Sequence, residues 1–145
     1  MLDLLIREAT LDEIEYLRQI FNKSRGAAGC YPQNNMSVSD FNHLIAGEEL
    51  YLATDKNEGI IVGFIGIIVD CRFVHHLYVL PQFQGQGVGR KLLQKCAEVL
   101  DNAFTLKCDD CNQKAMLFYS NLGFAKVASG VGDFGPWTEL RATRV

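Results

Sequence analysis

CRFVHHLYVLPQFQGQGVGRKLLQKCAEVL, residues 71–100, reads as a strand, a glycine-rich turn and a helix in immediate succession. Phe73 to Leu80 is dense in β-branched and aromatic residues, Pro81 stops it, and Gly85, Gly87 and Gly89 follow at alternate positions. From Val88 onward, Leu92, Leu93, Cys96, Ala97 and Leu100 fall on one helical face that can pack on a sheet. A strand therefore delivers a glycine loop to a helix N-terminus. The first turn of a helix carries N–H groups without intrahelical partners and the positive end of the macrodipole. Glycines that let an anion reach that backbone make a phosphate site.

Three kinds of glycine loop share this physics, and spacing separates them. A P-loop needs Gly-Lys followed by a hydroxyl residue, whereas Gly89 is followed by Arg90 and Lys91. A dinucleotide fingerprint needs Gly-x-Gly-x-x-Gly early in a βαβ unit; here the third glycine comes one residue too soon, past mid-chain. Gln84-x-x-Gly87-x-Gly89 instead resembles the acetyl-CoA pyrophosphate loop of the GNAT N-acetyltransferase superfamily, and Leu77-Tyr78-Val79-x-Pro81 is similar to the strand ending that precedes it. Asn112, Ala115, Phe118-Tyr119 and Gly123-Phe124 resemble that family's second acetyl-CoA segment, in which an asparagine opens a helix and a tyrosine sits two turns along it. The likeness carries specific motifs over roughly residues 71 to 127, and before residue 50 it is a pattern of elements only.

The resemblance implies one GNAT-like α/β domain over residues 1–145, with a mixed, mostly antiparallel sheet flanked by helices. It implies transfer of an acetyl group from acetyl-CoA, as co-substrate, to a primary amine of a small molecule or peptide. Main-chain groups of Leu77, Tyr78 and Val79 would hold the pantetheine arm and thioester. The loop N–H groups of Gln84, Gly85, Gln86, Gly87, Val88 and Gly89 would hold pyrophosphate, with Arg90 or Lys91 adding charge. Asn112 matches a residue that hydrogen-bonds the CoA arm, and a plain helix cap is the alternative. Tyr119 matches the phenol that protonates the departing thiolate; a core aromatic beside Phe118 is its alternative.

An alkylammonium with a pKa near 10 needs a general base, and His75 and His76 are the candidates. Strand alternation predicts opposite faces for them, so at most one looks into the site. His75 lies four residues before Val79, where several family members carry a histidine or an acid facing the acceptor. It is taken as the base, against a buried, hydrogen-bonded imidazole. His43 is expected to be exposed.

Composition narrows the classes. The balance of 48% hydrophobic and 21% charged residues over 145 is that of one folded domain. A net charge of -3 disfavours a nucleic-acid partner and suits a cationic small acceptor. No apolar run approaches the roughly twenty residues of a membrane span. Asp3, Arg7 and Glu8 interrupt the apolar start, and with five cysteines the expectation is a reduced, cytoplasmic chain. Self-association into a homodimer stays open. Cys108-x-x-Cys111 could bind metal or exchange thiols, but a structural zinc needs four ligands and no second pair is present. Two free, oxidation-sensitive thiols and no metal are expected. A non-catalytic acyl-CoA sensor and a thiol or metal protein are the rival functions.

Along the chain, Leu4 to Ala9 reads as a strand and Thr10 with Glu13 as a capping box opening a helix to about Lys23. Asn22 to Ser37, with Gly26, Gly29, Pro32, Asn34 and Asn35, reads as a loop; the GNAT resemblance implies that it flanks the acceptor site, and a surface connector is the alternative. A short helix capped by Ser37 or Ser39 precedes strands at Glu49 to Thr54 and Ile60 to Asp70, with a turn at Cys71-Arg72. Phe104 to Cys108 reads as a strand, Gln113 to Asn121 as a helix and Phe124 to Ala128 as a strand. Gly130 to Pro136 reads as a glycine-rich loop before a last strand, Trp137 to Thr143.

Overall fold

The computed structural model describes residues 2–32 and 35–145. Thr10 and Glu13 open the first helix as their spacing predicts. The Glu13 carboxylate accepts the Thr10 N–H at 2.9 Å and two Arg7 guanidinium N–H groups at 2.8 and 2.7 Å. One acid thus caps the helix and ties it to strand β1 (Leu4–Glu8). A 3-10 turn, Leu11–Glu13, leads into α1 (Ile14–Ala28), which ends at Gly29 with φ of 83°. The helix runs beyond its expected end near Lys23, so the part of the predicted loop up to Ala28 is helix. Of its named residues, Asn34 lies outside the described ones. Tertiary contacts favour the extra turn: the Ser24 hydroxyl donates to the Val79 carbonyl at 2.9 Å, and Arg25 lies over the Phe21 and Tyr31 rings.

Ser37 caps α2 (Val38–Leu44) by accepting the Asp40 N–H. There follow β2 (Glu49–Asp55), β3 (Ile60–Ile68), β4 (Phe73–Val79), a 3-10 turn (Pro81–Phe83), α3 (Val88–Val99), β5 (Thr105–Asp109), α4 (Gln113–Asn121), β6 (Ala125–Gly132) and β7 (Gly135–Arg141). The sheet runs β1-β2-β3-β4-β5-β7-β6. Only β4 and β5 pair in parallel; the other neighbours are antiparallel, as the predicted fold class requires.

β3 is the central strand that its apolar run predicts, buried from Val62 to Ile67. Phe64 packs with Leu17, Phe21, Phe41 and Leu52 under α1 and α2, while Ile65 and Ile67 pack with Leu92, Leu93 and Cys96 under α3. Each such side chain contributes about 1.5–3 kcal/mol of burial. Gly63 lets α3 close on the sheet, because a Cβ there would stand 2.9 Å from the Tyr78 carbonyl oxygen and 3.2 Å from Val88.

The C-terminal hairpin departs from the predicted glycine loop. β6 continues to Gly132 and β7 begins at Gly135, so residues 130–136 are mostly paired strand. The glycines serve Trp137, whose indole lies where a Cβ on Gly130 would collide with it. Glycine marks close approach here rather than a turn.

Hydrogen bonds from Arg7 and then from the Thr10 N–H hold the Glu13 carboxyl at about 2, below its ordinary 4.5. A depressed folded value means stabilisation that is complete above the ordinary value and lost as pH falls through the folded one. Glu13→Gln should therefore cost about 1 kcal/mol near neutral pH, given a half-exposed arginine partner. In urea titrations its difference from wild type should close as pH falls from 4.5 toward 2.

Candidate cofactor cleft and acceptor cavity

β4 and β5 pair at two positions only, Phe73 with Thr105 and Val74 with Leu106, whereas β3 stays paired with β4 as far as Val79. Beyond Val74 the two parallel strands part. The Leu80 N–H bonds the Val62 carbonyl at 2.9 Å, so alternation turns the main-chain groups of Leu77 and Val79 away from β3 and into the gap. The Val79 carbonyl accepts from the Ser24 hydroxyl at 2.9 Å and from Gln84 Nε2 at 3.1 Å. These two bonds pin α1 and the glycine loop to the strand end.

Gly85 and Gly87 have φ of 77° and 86°, the left-handed region in which side chains are strained. Gly87 caps α3, and the first intrahelical bond runs from the Lys91 N–H to the Gly87 carbonyl. The N–H groups of Val88, Gly89 and Arg90 therefore have no acceptor in the helix. A Cβ on Gly87 would meet nothing within 4 Å, whereas one on Gly89 would press on Phe118 of α4 at 3.1 Å. The first glycine keeps the helix mouth open, and the second closes the packing behind it.

A cleft of about 390 Å³ runs from this mouth along the gap. It is lined by Leu77, Tyr78 and Val79, by Gln84, Gly85, Gly87, Val88, Gly89 and Arg90, and by Asn112 and Tyr119. Gln86 does not line it; its side chain turns back to the Gln82 carbonyl. Lys114, which the sequence did not single out, does line it, and Lys91 does not. Asn112 Oδ1 accepts the Ala115 N–H at 3.3 Å, so this residue caps α4 while facing the cleft. Tyr119 is buried between Phe118 and Phe124, and burial pushes its phenol far above the ordinary range. At neutral pH it holds its proton.

A second cavity, of about 580 Å³, lies on the other side of Tyr119. The two share Arg25, Tyr31, Leu77, Tyr78, Asn112, Ala115 and Tyr119. The second is lined further by Phe21, Met36, Lys107, Asp109, Asp133 and Phe134. Tyr31 and Met36 come from the stretch expected to flank the acceptor. The Tyr31 hydroxyl donates to Asp109 at 2.9 Å, and Arg25 lies 3.8 Å from the Tyr31 ring centroid while donating to the Tyr78 hydroxyl at 3.2 Å. Sequence reading missed Arg25, Tyr31, Asp109 and Phe134. They belong to four separate segments, and no spacing signals their meeting.

The two histidines correct the alternation rule. A β-bulge at Gly66/Ile67 leaves His75 without a partner in β3, and both imidazoles turn to one buried acid, Glu48. His75 is exposed, His76 is 5% exposed, and their ring centroids are 4.0 Å apart. Both line the second cavity. Burial pushes the His76 imidazole down despite Glu48, keeping it neutral. His43 is exposed, as expected.

The cysteines also depart from expectation. Cys111 forms a disulfide with Cys30, Cα–Cα 6.0 Å, so it is not a free thiol. Cys108 is free but buried, and burial and then the neighbouring aspartates push its thiol up to about 12, where it is a poor nucleophile. Cys108-x-x-Cys111 is therefore neither a ligand pair nor a pair of reactive thiols. Among the described residues, the group of three with ligating atoms within 4.8 Å of one another is Glu48, His75 and His76.

Comparison with known proteins places these features in a family. The acetyltransferase (GNAT) family model matches residues 14–124. Thialysine N-epsilon-acetyltransferase of Mus musculus is 38% identical over 73 residues, 48% of this chain and 41% of that protein. The match thus spans about two fifths of that relative's length. Among solved structures, apo-form YjaB from Escherichia coli aligns over 99% of both chains with a TM-score of 0.76 at 22% identity. Spermidine N-acetyltransferase from Vibrio cholerae, in complex with CoA and spermine, aligns over 94% of this chain and 93% of its own with a TM-score of 0.70 at 16% identity. At these identities the structural likeness shows the fold. No helix among the described residues is long and apolar enough to cross a membrane.

The disulfide joins the stretch after α1 to the turn before α4, across 81 residues of chain. Closing a loop of that length removes unfolded-state entropy worth about 4 kcal/mol. Cys30→Ser should lower the urea midpoint accordingly, and dithiothreitol should lower wild type to the level of the variant. An unchanged midpoint in reductant would mean that the bridge does not form in solution.

Proposed function

Since the chain belongs to the GNAT acetyltransferase family, we propose that it transfers an acetyl group from acetyl-CoA to a primary amine of a small molecule or peptide. The observation that carries this is the gap between β4 and β5, which opens at one end on the N-terminus of α3 and at the other on the second cavity beside Tyr119. The free N–H groups at the start of α3 suit pyrophosphate, with Arg90 and Lys114 at the rim. Main-chain groups of Leu77 and Val79 suit the amide-bearing arm, and the Val79 N–H suits a carbonyl oxygen that becomes an oxyanion.

His75 takes a proton from the acceptor ammonium. The amine nitrogen then attacks the thioester carbon; the new C–N bond forms, the C–S bond breaks, and the thiolate leaves with the electron pair. Tyr119 supplies the proton that makes it a thiol, and the second proton, lost from the attacking nitrogen as the amide forms, returns through water to the Tyr119 phenolate. The aspartates of the second cavity favour a cationic acceptor, and thialysine and spermidine, named for two of the similar proteins, are cationic amines. The protein on this reading acts in the cytoplasm without a bound metal and without nucleic-acid or membrane partners, as a monomer or homodimer. The net charge of -3 supports the nucleic-acid part.

Acetyl-CoA should bind one-to-one in calorimetry and raise the melting temperature. Gly87→Val should abolish both effects while circular dichroism is retained, because a β-branched residue at φ of 86° displaces the loop backbone and fills its open side. Thiol release should depend on an added amine from a panel of polyamines, aminoglycosides, amino acids and peptide N-termini. Absence of both binding heat and amine-dependent thiol release at millimolar concentrations would defeat the proposal; binding without release would leave a sensor.

His75→Ala should lower kcat/KM by roughly 10²–10⁴-fold and remove the acidic limb of the pH profile. Tyr119→Phe should lower kcat by a comparable order and leave that limb in place. Full turnover in both variants would overturn the site assignment while leaving the cofactor assignment intact.

A further inference from the structure

Glu48 lies in the turn between α2 and β2, where an acid ordinarily faces water, yet its side chain is only 1% exposed. It folds inward over Gly66, where any Cβ would collide with Oε1. Its other oxygen, Oε2, stands 2.9 Å from His75 Nδ1 and 3.3 Å from His76 Nε2, the latter without hydrogen-bonding geometry. Oε1 has no hydrogen-bond partner among the described residues. Burial alone would push this carboxyl up, but the hydrogen bond from His75, with the second imidazole beside it, outweighs burial and holds the group below the usual carboxylate range. Burying a carboxylate costs several kcal/mol unless it is paired. A glycine socket, a bulge and two imidazoles are assembled around one acid that no sheet or helix contact requires.

An ionised carboxylate can only accept, so His75 Nδ1 carries the proton of their hydrogen bond. The tautomer is thereby set, and the lone pair is on Nε2, at the exposed edge of the ring. His76, shielded by Phe21, Phe64 and Tyr78, lies beside the His75 ring and approaches the same carboxylate oxygen. The other charged groups around this cavity are Arg25 from α1, Lys107 and Asp109 from β5 and Asp133 from the β6–β7 turn. None of them is hydrogen-bonded to His75.

Resting on the reading of His75 as the base, we propose that Glu48 is the positioning residue of the reaction. It holds His75 Nδ1–H so that Nε2 faces the amine, and its charge stabilises the imidazolium formed when Nε2 takes the ammonium proton. The bulge at Gly66/Ile67 serves this pairing, since regular alternation would put the two histidines on opposite faces. The proton leaves to solvent from the exposed edge of the His75 ring, and Glu48 stays ionised throughout.

The test compares pH–rate profiles of wild type, Glu48→Gln, Glu48→Asp and His75→Ala, using the best amine of the panel, together with ¹⁵N NMR of the histidine rings in the wild-type protein. Glu48→Gln keeps the shape and removes the charge. It should lower kcat/KM roughly 10- to 100-fold with the acetyl-CoA KM unchanged, and move the acidic limb about one pH unit lower. Glu48→Asp should restore part of the rate and of the limb's position. The NMR spectrum above the limb should show His75 protonated on Nδ1, a readout that needs no variant to fold. His75 protonated on Nε2 would overturn the proposal, as would a limb and rate unmoved in Glu48→Gln. If the limb vanished in His75→Ala while neither its position nor the rate changed in Glu48→Gln, positioning alone would have failed and the base would stand. A limb surviving in His75→Ala would remove the base and the proposal together. One equivalent of zinc in the purified protein, lost in His75→Ala, would overturn it too, because metal would then occupy the ring.

Discussion

Two residue pairs of parallel ladder between β4 and β5, and then none, is the constraint on which the rest of the molecule depends. A strand edge that is buried but unpaired carries donors and acceptors that need partners. Here the end of that edge is closed from outside the sheet, by Ser24 of α1 and by Gln84 of the glycine loop, both on the Val79 carbonyl. What is left unclosed is a slot of main-chain groups leading from a helix N-terminus to a buried tyrosine. Any ligand that fits must be long, anionic at one end and rich in amide groups along its arm. Those are the properties of an acyl-CoA, the ligand proposed for this member of the acetyltransferase (GNAT) family.

The charges are arranged by how far each is removed from water. Glu13 is half of a surface ion pair and acts on stability. Glu48 is wholly enclosed, beside two imidazoles that line the second cavity, where its charge can act on a proton. Arg25 is held by the faces of Phe21, Tyr31 and Phe134 and by the Tyr78 hydroxyl. Stacking of this kind fixes a guanidinium with its plane against the rings and its edge open. The second cavity therefore presents fixed cationic and anionic groups within one rim, a basis for selecting an acceptor by its charge pattern.

Much of the scaffold is legible along the chain. Thr10 and Glu13 form the cap their spacing predicts, the apolar run at Ile60 becomes the buried central strand, and Gln113–Asn121 is a helix with the predicted bounds. These depend on near neighbours, so local pattern suffices. Misreadings occur where a distant residue changes the meaning of a local one. Gly130 reads as a loop residue until Trp137 is laid across it. Cys111 reads as one of two free thiols until Cys30 is brought to it across 81 residues. α1 seems to end at Lys23 until Ser24 and Arg25 find their partners.

The candidate site divides along the same line. The glycine loop, the strand before it and the Asn112 to Tyr119 segment could be located from the sequence and its resemblance, because they rest on backbone conformation and short spacings that near neighbours impose. Which imidazole meets which acid was decided only in three dimensions. His75 and His76 alternate in any regular strand. A one-residue bulge at His75, and a glutamate folded in from the turn before β2, bring both rings to one carboxylate. Bulges and buried ion pairs are settled by what the assembled core leaves room for, and that room exists only after α1, α2 and the sheet have packed.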